Sequence, residues 1–484
     1  MRALANLPIA VVAVAGGTMG VIVAGTTPGV YALPPDAPHP DAMVFEEITF
    51  RPPAPERWEL PGGLAAHVLA DDDLPLVSLI LYVQAGAVDE PAERAGLAGL
   101  TGEVLRSGGS GQLAPADLDA ALEDMASTLE ITVGTERTVL AASMLERHAA
   151  RTIELVFDLV RHPRFDAAKL EIARGLALEG LRRQNDHPRA VVERQHRALL
   201  YGRHPYGRTP TAETLAAIER QDLIDFHARH FGPHRMVLAV AGAIDPAALR
   251  TLLEDAIGDW QPPAVELSPI PPVPPVAAAG VPSVHHIEMD LSQSAIRVGH
   301  LGIDRYDPDR DAVAILDYVL GGGGFVSRLM QRLRVEEGIA YSARSDFTLP
   351  RDTGMFYAET QTRANQTVHA VELLIGEIRR LHDAGVSDAE LADARSALVN
   401  RDIFRSVTPT QIAAQAASLE FDGYAPGEFE RRIDAYRALD VETLGTVARR
   451  VLRPDSLVVL VVGKAADFDT SLSTIGPVHE IELP

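Results

Sequence analysis

Three histidines near the middle of the sequence have the spacing of metal ligands. His227, His230 and His234 lie three and four residues apart, which on one continuous helix would bring their rings to a single face where they could bind zinc. Gly232-Pro233 interrupts that helix between the second and third histidines, because proline cannot extend a helix from its interior. We therefore interpret the segment as structural rather than metal-binding.

A second pair, His285 and His286, opens a predicted strand. Neighbouring strand residues point to opposite faces, so the two rings cannot share one ion, and we interpret them as surface histidines. The sequence contains no cysteine, which excludes disulfides, thiolate metal ligands and a cysteine nucleophile. It also lacks the G-x-S-x-G motif of a serine hydrolase, so neither nucleophile class is supported.

The net charge of the chain limits the kinds of molecule that it can bind. The 484 residues carry a formal net charge of −23, which repels nucleic acids and anionic membranes and attracts basic peptides. No run of lysine or arginine with interleaved aromatic residues is present, so the sequence predicts no nucleic-acid partner. The simpler interpretation of the charge is that it keeps a large protein soluble.

The N-terminus has the features of an export signal. Arg2 precedes an apolar stretch from Ile9 to Val23, and Val30-Tyr31-Ala32 offers a cleavage site of the small-x-small type. We predict a signal peptide over residues 1–32 and a periplasmic or secreted mature protein. An uncleaved N-terminal anchor, which would tether the protein to a membrane, is the alternative.

A proline-rich linker divides the remainder of the chain. Five of the seven residues from 269 to 275 are proline, which favours an extended segment that cannot join a helix or a central strand. The linker is predicted over 263–283, between an N-terminal lobe at 45–262 and a C-terminal lobe at 284–484. The two lobes have comparable lengths.

The two lobes show a similar order of predicted elements. Apolar runs and helical periodicity predict an α+β fold that is built twice, each lobe an antiparallel-rich sheet with helices on one face. Together the lobes would form a clam-like chamber. Strands are predicted at 76–83, 236–241, 295–300, 342–347, 354–360 and 457–462, and helices at 95–106, 115–125, 146–160, 167–184, 309–320, 367–384, 388–405 and 428–438.

Several motifs in the same order along the chain resemble one protein family. Residues from about 45 to 470 are similar to the insulinase/pitrilysin (inverzincin) metallopeptidases, and in particular to the mitochondrial processing peptidases. Each motif alone is weak, whereas the collinear set is specific. The segments that carry the resemblance are Asp73–Ser78, Gly86–Pro91, Gly96–Ala98, His204-Pro205-Tyr206-Gly207-Arg208, Gly321–Phe325, Ser327–Leu329 and Leu333–Tyr341.

The zinc motif of that family is absent. The family uses H-x-x-E-H, in which two histidines bind zinc and the glutamate activates a water molecule. This chain has Gly99 and Glu103 at the two histidine positions and Gly102 at the glutamate position. Glu179, which lies 76 residues after Glu103, occupies the place of the family's third ligand. The resemblance implies a degenerate site with no metal and no other cofactor in this chain, and we predict that it cannot hydrolyse peptides. The alternative is that Glu103 and Glu179 hold a hard cation weakly, since two carboxylates without imidazole suit such an ion better than zinc.

The second-lobe motif is intact. In the family an Arg–Tyr pair, here Arg334 and Tyr341, donates hydrogen bonds to substrate carbonyls and to the developing oxyanion at a zinc site. The alternative is an exposed arginine and a tyrosine that fills a strand face. The glycines Gly321, Gly322, Gly323 and Gly324 are predicted to let a peptide approach the backbone closely, although they are equally consistent with the end of a helix.

The combination of a broken first motif and an intact second motif resembles the non-zinc chain of a two-chain peptidase. It implies an extracytoplasmic subunit that binds peptide and supplies Arg334 and Tyr341 to a homologous, zinc-bearing partner, and that is inactive alone. The alternative is a non-catalytic structural or peptide-binding protein of the same fold, like the core subunits of respiratory complexes.

Overall fold

The computed structural model describes residues 51–261, 270–273 and 282–483. The predicted signal segment and most of the predicted linker lie outside these residues. The strands form two six-stranded sheets. The first sheet contains β1 (Glu56–Leu60), β2 (Leu64–Ala70), β3 (Leu76–Val83), β4 (Thr128–Val133), β5 (Thr138–Leu145) and β6 (Met236–Gly242), and the second contains β7 (Ser283–Glu288), β8 (Gln293–Leu301), β9 (Ala340–Thr348), β10 (Met355–Arg363), β11 (Val458–Gly463) and β12 (Val478–Glu480).

The two sheets repeat one topology. The first has the strand order β1-β2-β6-β3-β5-β4, and the second has β12-β7-β11-β8-β10-β9. The five strands β2 to β6 therefore correspond to β7 to β11, with the parallel pair β2–β6 matched by β7–β11. The sheets differ at the outer strand, because β1 is antiparallel to β2 whereas β12 is parallel to β7. The predicted two-lobed α+β fold with largely antiparallel sheets is confirmed.

Helices fill the connections between strands. No helix among the described residues is long and apolar enough to cross a bilayer. The helices are α1 (Leu97–Ser107), α2 (Pro115–Asp124), α3 (Ala149–Arg161), α4 (Ala167–Arg182), α5 (Pro188–Tyr201), α6 (Ala212–Ala217), α7 (Arg220–His230), α8 (Pro246–Ile257), α9 (Arg310–Asp317), α10 (Arg328–Met330), α11 (Thr367–Ala384), α12 (Asp388–Phe404), α13 (Pro409–Phe421), α14 (Glu428–Ala438) and α15 (Val441–Val451).

The predicted elements are all present, with ends shifted by a few residues. The helix predicted at 309–320 is the most altered, because α9 ends at Asp317 and a π-helical turn follows over Tyr318–Gly322. Several elements were not predicted at all. Among these are two helices, α5 and α13, that decide how the lobes fit together.

The central strands of the first sheet carry apolar residues on both faces. On β6, Leu238 and Val240 face the helices of their own lobe, whereas Ala239 and Ala241 face α13 from the second lobe. Five of the six buried residues in this contact are alanines, which lets the helix approach the sheet closely. They are Ala65, Ala239 and Ala241 on the sheet and Ala413 and Ala417 on α13.

The second sheet is covered reciprocally by α5 from the first lobe. Val191 and Val192 of α5 pack on Ala295, Leu460 and neighbouring residues of the sheet. Gly299 of β8 permits this approach, since a Cβ atom there would lie 2.9 Å from the His196 ring and 2.2 Å from a carbonyl oxygen of β10. The helices of each lobe thus cover one face of their own sheet, and a single helix from the other lobe covers the opposite face.

Charged groups join the lobes beside this packing. Arg305 of the second lobe is 9% exposed and forms ion pairs with Glu136 of the first lobe and Asp422. Asp422 also accepts from Arg137 at 2.8 Å. The Tyr206 hydroxyl donates to Glu136 and accepts from the backbone N–H of Asp352 in the second lobe, so the His-Pro-Tyr-Gly-Arg segment belongs to the lobe junction.

We expect Arg305→Ala to lower the free energy of unfolding by about 3 kcal/mol, because it leaves Glu136 and Asp422 buried with less compensating charge. The matched control is Arg450→Ala. Arg450 also bridges two carboxylates, Asp307 and Asp309, but is 46% exposed, so its loss should cost about 1 kcal/mol or less. Urea denaturation measures both values, and equal losses would contradict a structural role for the junction.

Candidate functional site

The degenerate zinc motif lies on α1, a helix that packs against α4, α7 and β4. Glu90 fixes the start of this helix, accepting hydrogen bonds from the backbone N–H groups of Gly96 at 2.9 Å and Ala98 at 2.7 Å. Burial raises the pKa of Glu90 to about 7, although these two bonds act in the opposite direction. Gly99 and Glu103 are exposed on α1, whereas Gly102 is buried.

Gly102 is packed against another side chain. A Cβ atom at this position would lie 2.3 Å from Val133 Cγ2, at the end of β4, which is closer than any non-bonded carbon contact allows. At Gly99, by contrast, a Cβ atom would meet no atom within 4 Å. At the position of the family's water-activating glutamate this chain therefore has a glycine, and Val133 occupies the space next to it.

Glu179 lies near the end of α4 and is committed to local ion pairs. Its carboxylate is 3.3 Å from Arg182 and 3.0 Å from Arg183, and the side chain is 47% exposed. Across the described residues, no group of three or more His, Cys, Asp or Glu side chains could hold a metal ion. Two carboxylates without imidazole also lack the donor set that zinc prefers. The residues present do not fit zinc.

The two histidine groups have structural contacts. His227 Nε2 lies 2.7 Å from the Val160 carbonyl oxygen, and the His230 ring packs on Phe226 with centroids 4.5 Å apart. The surface interpretation of His286 is wrong: the residue is 2% exposed and bonds to Glu480 and to the Gly463 carbonyl oxygen. Strand β12 covers it, and β12 was not predicted.

Arg334 and Tyr341 are brought together in the second lobe. Arg334 Nη1 donates to the Tyr341 carbonyl oxygen at 3.1 Å. The guanidinium carbon lies 4.7 Å from the centroids of both the Tyr341 and the Phe325 rings, within the range of cation–π attraction. Two aromatic rings and one hydrogen bond therefore fix the guanidinium group.

A bulge in β9 sets the position of Tyr341. The pairing of β9 with β10 runs through Thr360↔Ala343 and then Thr362↔Ala340, so β9 carries one extra residue at Tyr341-Ser342. Bulges redirect side chains near functional sites. The Tyr341 side chain is 81% exposed, so it does not fill a strand face as the alternative interpretation required.

The glycine run has contacts that explain most of its residues. A Cβ atom at Gly321 would lie 2.2 Å from the backbone nitrogen of Ser345 in β9, and one at Gly322 would lie 2.5 Å from Asp317. Gly323 is similarly close to the carbonyl of Tyr318. Gly324 differs, because its φ of +62° favours glycine and its surroundings are open. Close packing within the chain thus accounts for three of the glycines, and peptide contact stays a prediction.

Asp317 lies beneath this glycine run. The Ser345 hydroxyl donates to Asp317 Oδ1 at 2.6 Å, which ties the helix before the glycines to β9. Burial raises the pKa of Asp317 to about 7. Sequence reasoning missed Asp317, and it also missed Phe325 and Val133. Phe325, which adjoins the glycine run, had a signal in the sequence, whereas Val133 had none.

Comparisons with known proteins identify the family to which this chain belongs. The family described as "Insulinase (Peptidase family M16)" matches residues 68–213, and the family described as "Peptidase M16 inactive domain" matches residues 217–398. An uncharacterized zinc protease of Mycobacterium tuberculosis is 26% identical over 405 residues, covering 82% of this chain and 91% of the relative. The human mitochondrial-processing peptidase subunit beta is 26% identical over 407 residues, covering 81% of each chain.

Solved structures share the fold. A crystal structure of a peptidase M16 inactive domain from Pseudomonas fluorescens superposes with a TM-score of 0.77 at 24% identity, covering 85% of this chain and 98% of the other. A protease from Helicobacter pylori superposes with a TM-score of 0.76 at 15% identity, covering 85% of this chain and all of that one.

Alanine substitutions at Gly99 and Gly102 should change the stability of the protein in opposite directions. Gly99→Ala should stabilise the protein by about 0.5–1 kcal/mol, because alanine favours helix and nothing obstructs its Cβ. Gly102→Ala should destabilise it by about 1–3 kcal/mol, because its Cβ would overlap Val133. Adding Val133→Ala to Gly102→Ala should recover part of this loss. Urea denaturation measures each variant, and a neutral Gly102→Ala would show that the space beside α1 is free.

Asp317 gives stability a defined pH dependence. With a folded-state pKa of about 7, the folded protein keeps a proton that the unfolded chain releases above about pH 4. The stabilisation is complete below about pH 4 and is lost as the pH rises to about 7. Relative to wild type, Asp317→Asn should gain on the order of 3 kcal/mol between pH 4 and 8. Unfolding free energies of both proteins at the two pH values test this, and a constant difference would contradict it.

Proposed function

Because this chain belongs to the insulinase (M16) peptidase family and its zinc motif is degenerate, we propose that it is the non-zinc subunit of a heterodimeric metallopeptidase. In this proposal the chain binds peptide and supplies Arg334 and Tyr341 to the zinc site of a homologous partner that carries H-x-x-E-H. The chain alone would not cleave peptides. The predicted export signal, residues 1–32, leads us to place the complex in the periplasm or outside the cell, with a membrane tether as the alternative.

The observation that carries the proposal is the contrast between the two motifs. Val133 lies in the space that a side chain at Gly102 would need, and the first motif has no histidine at either ligand position. Arg334 and Tyr341 are held together by direct contacts, and Tyr341 is 81% exposed while Arg334 is partly exposed. A large exposed aromatic side chain beside an ordered arginine supports contact with another molecule.

The chemistry available to the pair is electrostatic. The Arg334 side chain is a cation. Among the described residues, its Nη1 donates to the Tyr341 carbonyl oxygen. Its remaining N–H groups and the Tyr341 hydroxyl could donate to a peptide carbonyl and stabilise the oxyanion that develops there. Because Phe325 and Tyr341 already fix the guanidinium, little side-chain entropy is lost when it binds.

The competing proposal is a structural or peptide-binding protein of the same fold without a catalytic role. The degenerate motif is equally compatible with it, and the exposed Tyr341 could contact a permanent partner. The two proposals differ in one measurable property, which is whether the complex cleaves peptides and needs Arg334 and Tyr341 to do so.

The experiment combines the purified chain with a homologous subunit that retains H-x-x-E-H and measures cleavage of a fluorogenic peptide. We expect Arg334→Ala to lower kcat/KM by about 100-fold, comparable to the loss of one oxyanion donor. Tyr341→Phe, which removes only the hydroxyl, should lower it by at least tenfold, since a single strong hydrogen bond is worth about 1.4 kcal/mol.

The controls are Arg332→Ala and Tyr306→Phe. Arg332 is an exposed arginine two positions from Arg334 that pairs with Glu336 and Glu337, and Tyr306 is a 48% exposed tyrosine. Both should leave kcat/KM unchanged. Cleavage that is insensitive to Arg334 and Tyr341 would refute the in-trans role, and a stable complex without any proteolysis would favour the structural proposal.

A further inference from the structure

A row of charged residues crosses the second sheet on the face that α5 covers. The strand register places Glu359 of β10 between Arg297 of β8 and Arg344 of β9. Arg344 Nε donates to Glu359 Oε1 at 2.6 Å, and Arg297 Nε lies 3.0 Å from Oε2. Directly opposed residues on neighbouring strands share a face, so the three side chains form one continuous polar row.

A third arginine reaches the same carboxylate from the other lobe. Arg189, in the first turn of α5, donates from Nη2 to Glu359 Oε1 at 2.7 Å. Burial acts to raise the pKa of Glu359, but Arg297, Arg344 and Arg189 together hold it below its ordinary value. The carboxylate is therefore ionised, and it is surrounded by three guanidinium groups.

Positive charge exceeds negative charge in this cluster. The second carboxylate that acts on Arg344 and Arg297 is Asp346, so three cations face two anions. Arg297 is 1% exposed, and its Nη1 has no hydrogen-bond acceptor among the described residues. The first turn of α5 adds to the surplus, because no side chain caps its N–H groups. A buried or half-buried cationic surplus attracts an anion.

The surplus is accessible from solvent. Arg189 is 51% exposed and Arg344 is 48% exposed. A cavity of about 20 Å³ opens between them and is lined also by Ser342, Gln361 and Thr360. That volume holds a group the size of a water molecule, such as one carboxylate oxygen. Val192, Ala295 and Ile296 form the apolar part of the lining, and the arginines, Ser342 and Gln361 supply hydrogen-bond donors.

We propose that Arg344 and Arg189 form a carboxylate-recognition site, and that its ligand is an acidic or C-terminal carboxylate of the peptide that the chain binds. Paired guanidinium groups match the geometry of a carboxylate, which accepts two parallel hydrogen bonds. Glu359 orients both arginines and leaves their outer N–H groups for the ligand. That the carboxylate belongs to a peptide rests on the proposed function, whereas the anion site follows from the cluster itself.

The site lies within reach of the Arg–Tyr pair. Ser342, which lines the cavity, adjoins Tyr341 in the chain, and Arg344 follows Tyr341 by three residues. At a rise of about 3.3 Å per residue the separation along β9 is about 10 Å. An extended peptide that contacts Tyr341 would thus place a residue about three positions away over the two arginines. The site would select peptides with a carboxylate at that distance.

Calorimetric titration of the isolated chain tests the proposal with three versions of one extended peptide. The first has a free C-terminal carboxylate, the second is amidated, and the third is amidated and carries one internal glutamate. We expect the first or the third to bind at least tenfold more tightly than the second, and we expect added NaCl to weaken that preference. The first outcome identifies a C-terminal carboxylate, and the other identifies an acidic side chain.

Arg344→Gln should reduce the affinity for the preferred peptide about tenfold, which corresponds to 1.4 kcal/mol. Arg363→Gln is the control, because Arg363 is an exposed arginine at the end of β10 in the same sheet. If Arg344→Gln does not fold, Arg344→Lys keeps the charge but loses the paired donors, and it should lose most of the preference.

Equal binding of all three peptides, or no binding of any of them, would overturn the proposal, and so would an unchanged affinity in Arg344→Gln. The titration uses neither partner nor zinc. Equal binding of the three peptides therefore leaves the in-trans role of Arg334 and Tyr341 standing, whereas no binding of any peptide would also count against peptide binding by this chain. Loss of the in-trans role leaves the carboxylate site standing.

Discussion

The central strands of the first sheet are apolar on both faces, and the second sheet has an apolar patch beside its charged row on the face that the helices of its own lobe leave uncovered. The second face of each sheet is covered by a helix from the other lobe, α13 on the first sheet and α5 on the second. Exposing either face to water would cost about 25 cal/mol for each Å² of apolar surface. The lobes must therefore fold against one another. Apolar burial drives the contact between the lobes. The ion pairs of Arg305 and the hydrogen bonds of the His204–Arg208 segment fix the relative position of the groups that meet there.

This reciprocal packing also builds the polar region of the second sheet. Arg189 reaches Glu359 because α5 is carried across from the first lobe. The same sheet ends in β9, whose bulge directs Tyr341 outward. Of the two features proposed to contact peptide, the charged cluster depends on the fit between lobes because α5 supplies Arg189, whereas Arg334 and Tyr341 are held by contacts within the second lobe.

The degenerate motif and the intact motif differ in how their surroundings have been built. Around Gly102 the neighbouring Val133 occupies the space that a side chain would need, so replacing one residue would not recreate a zinc site. Around Arg334, Phe325 and Tyr341 hold the guanidinium in place while leaving the tyrosine exposed. In the first arrangement Gly102 is buried against Val133 while Gly99 and Glu103 are exposed, and the second is ordered at a surface. That difference is what favours a binding role for the second lobe.

The sequence by itself determined that α1 carries no histidine and that glycines stand at Gly99 and Gly102, whatever the fold. It also determined the central strands, whose apolar runs are local, and the pairing of Arg334 with Tyr341 through a motif. The tertiary structure decided the rest. Val133 lies beside Gly102, β12 covers His286, and α5 and α13 cross between lobes, all through contacts between residues far apart in the chain. Local pattern cannot encode such contacts, because they depend on which face of which element is left uncovered once the others have packed.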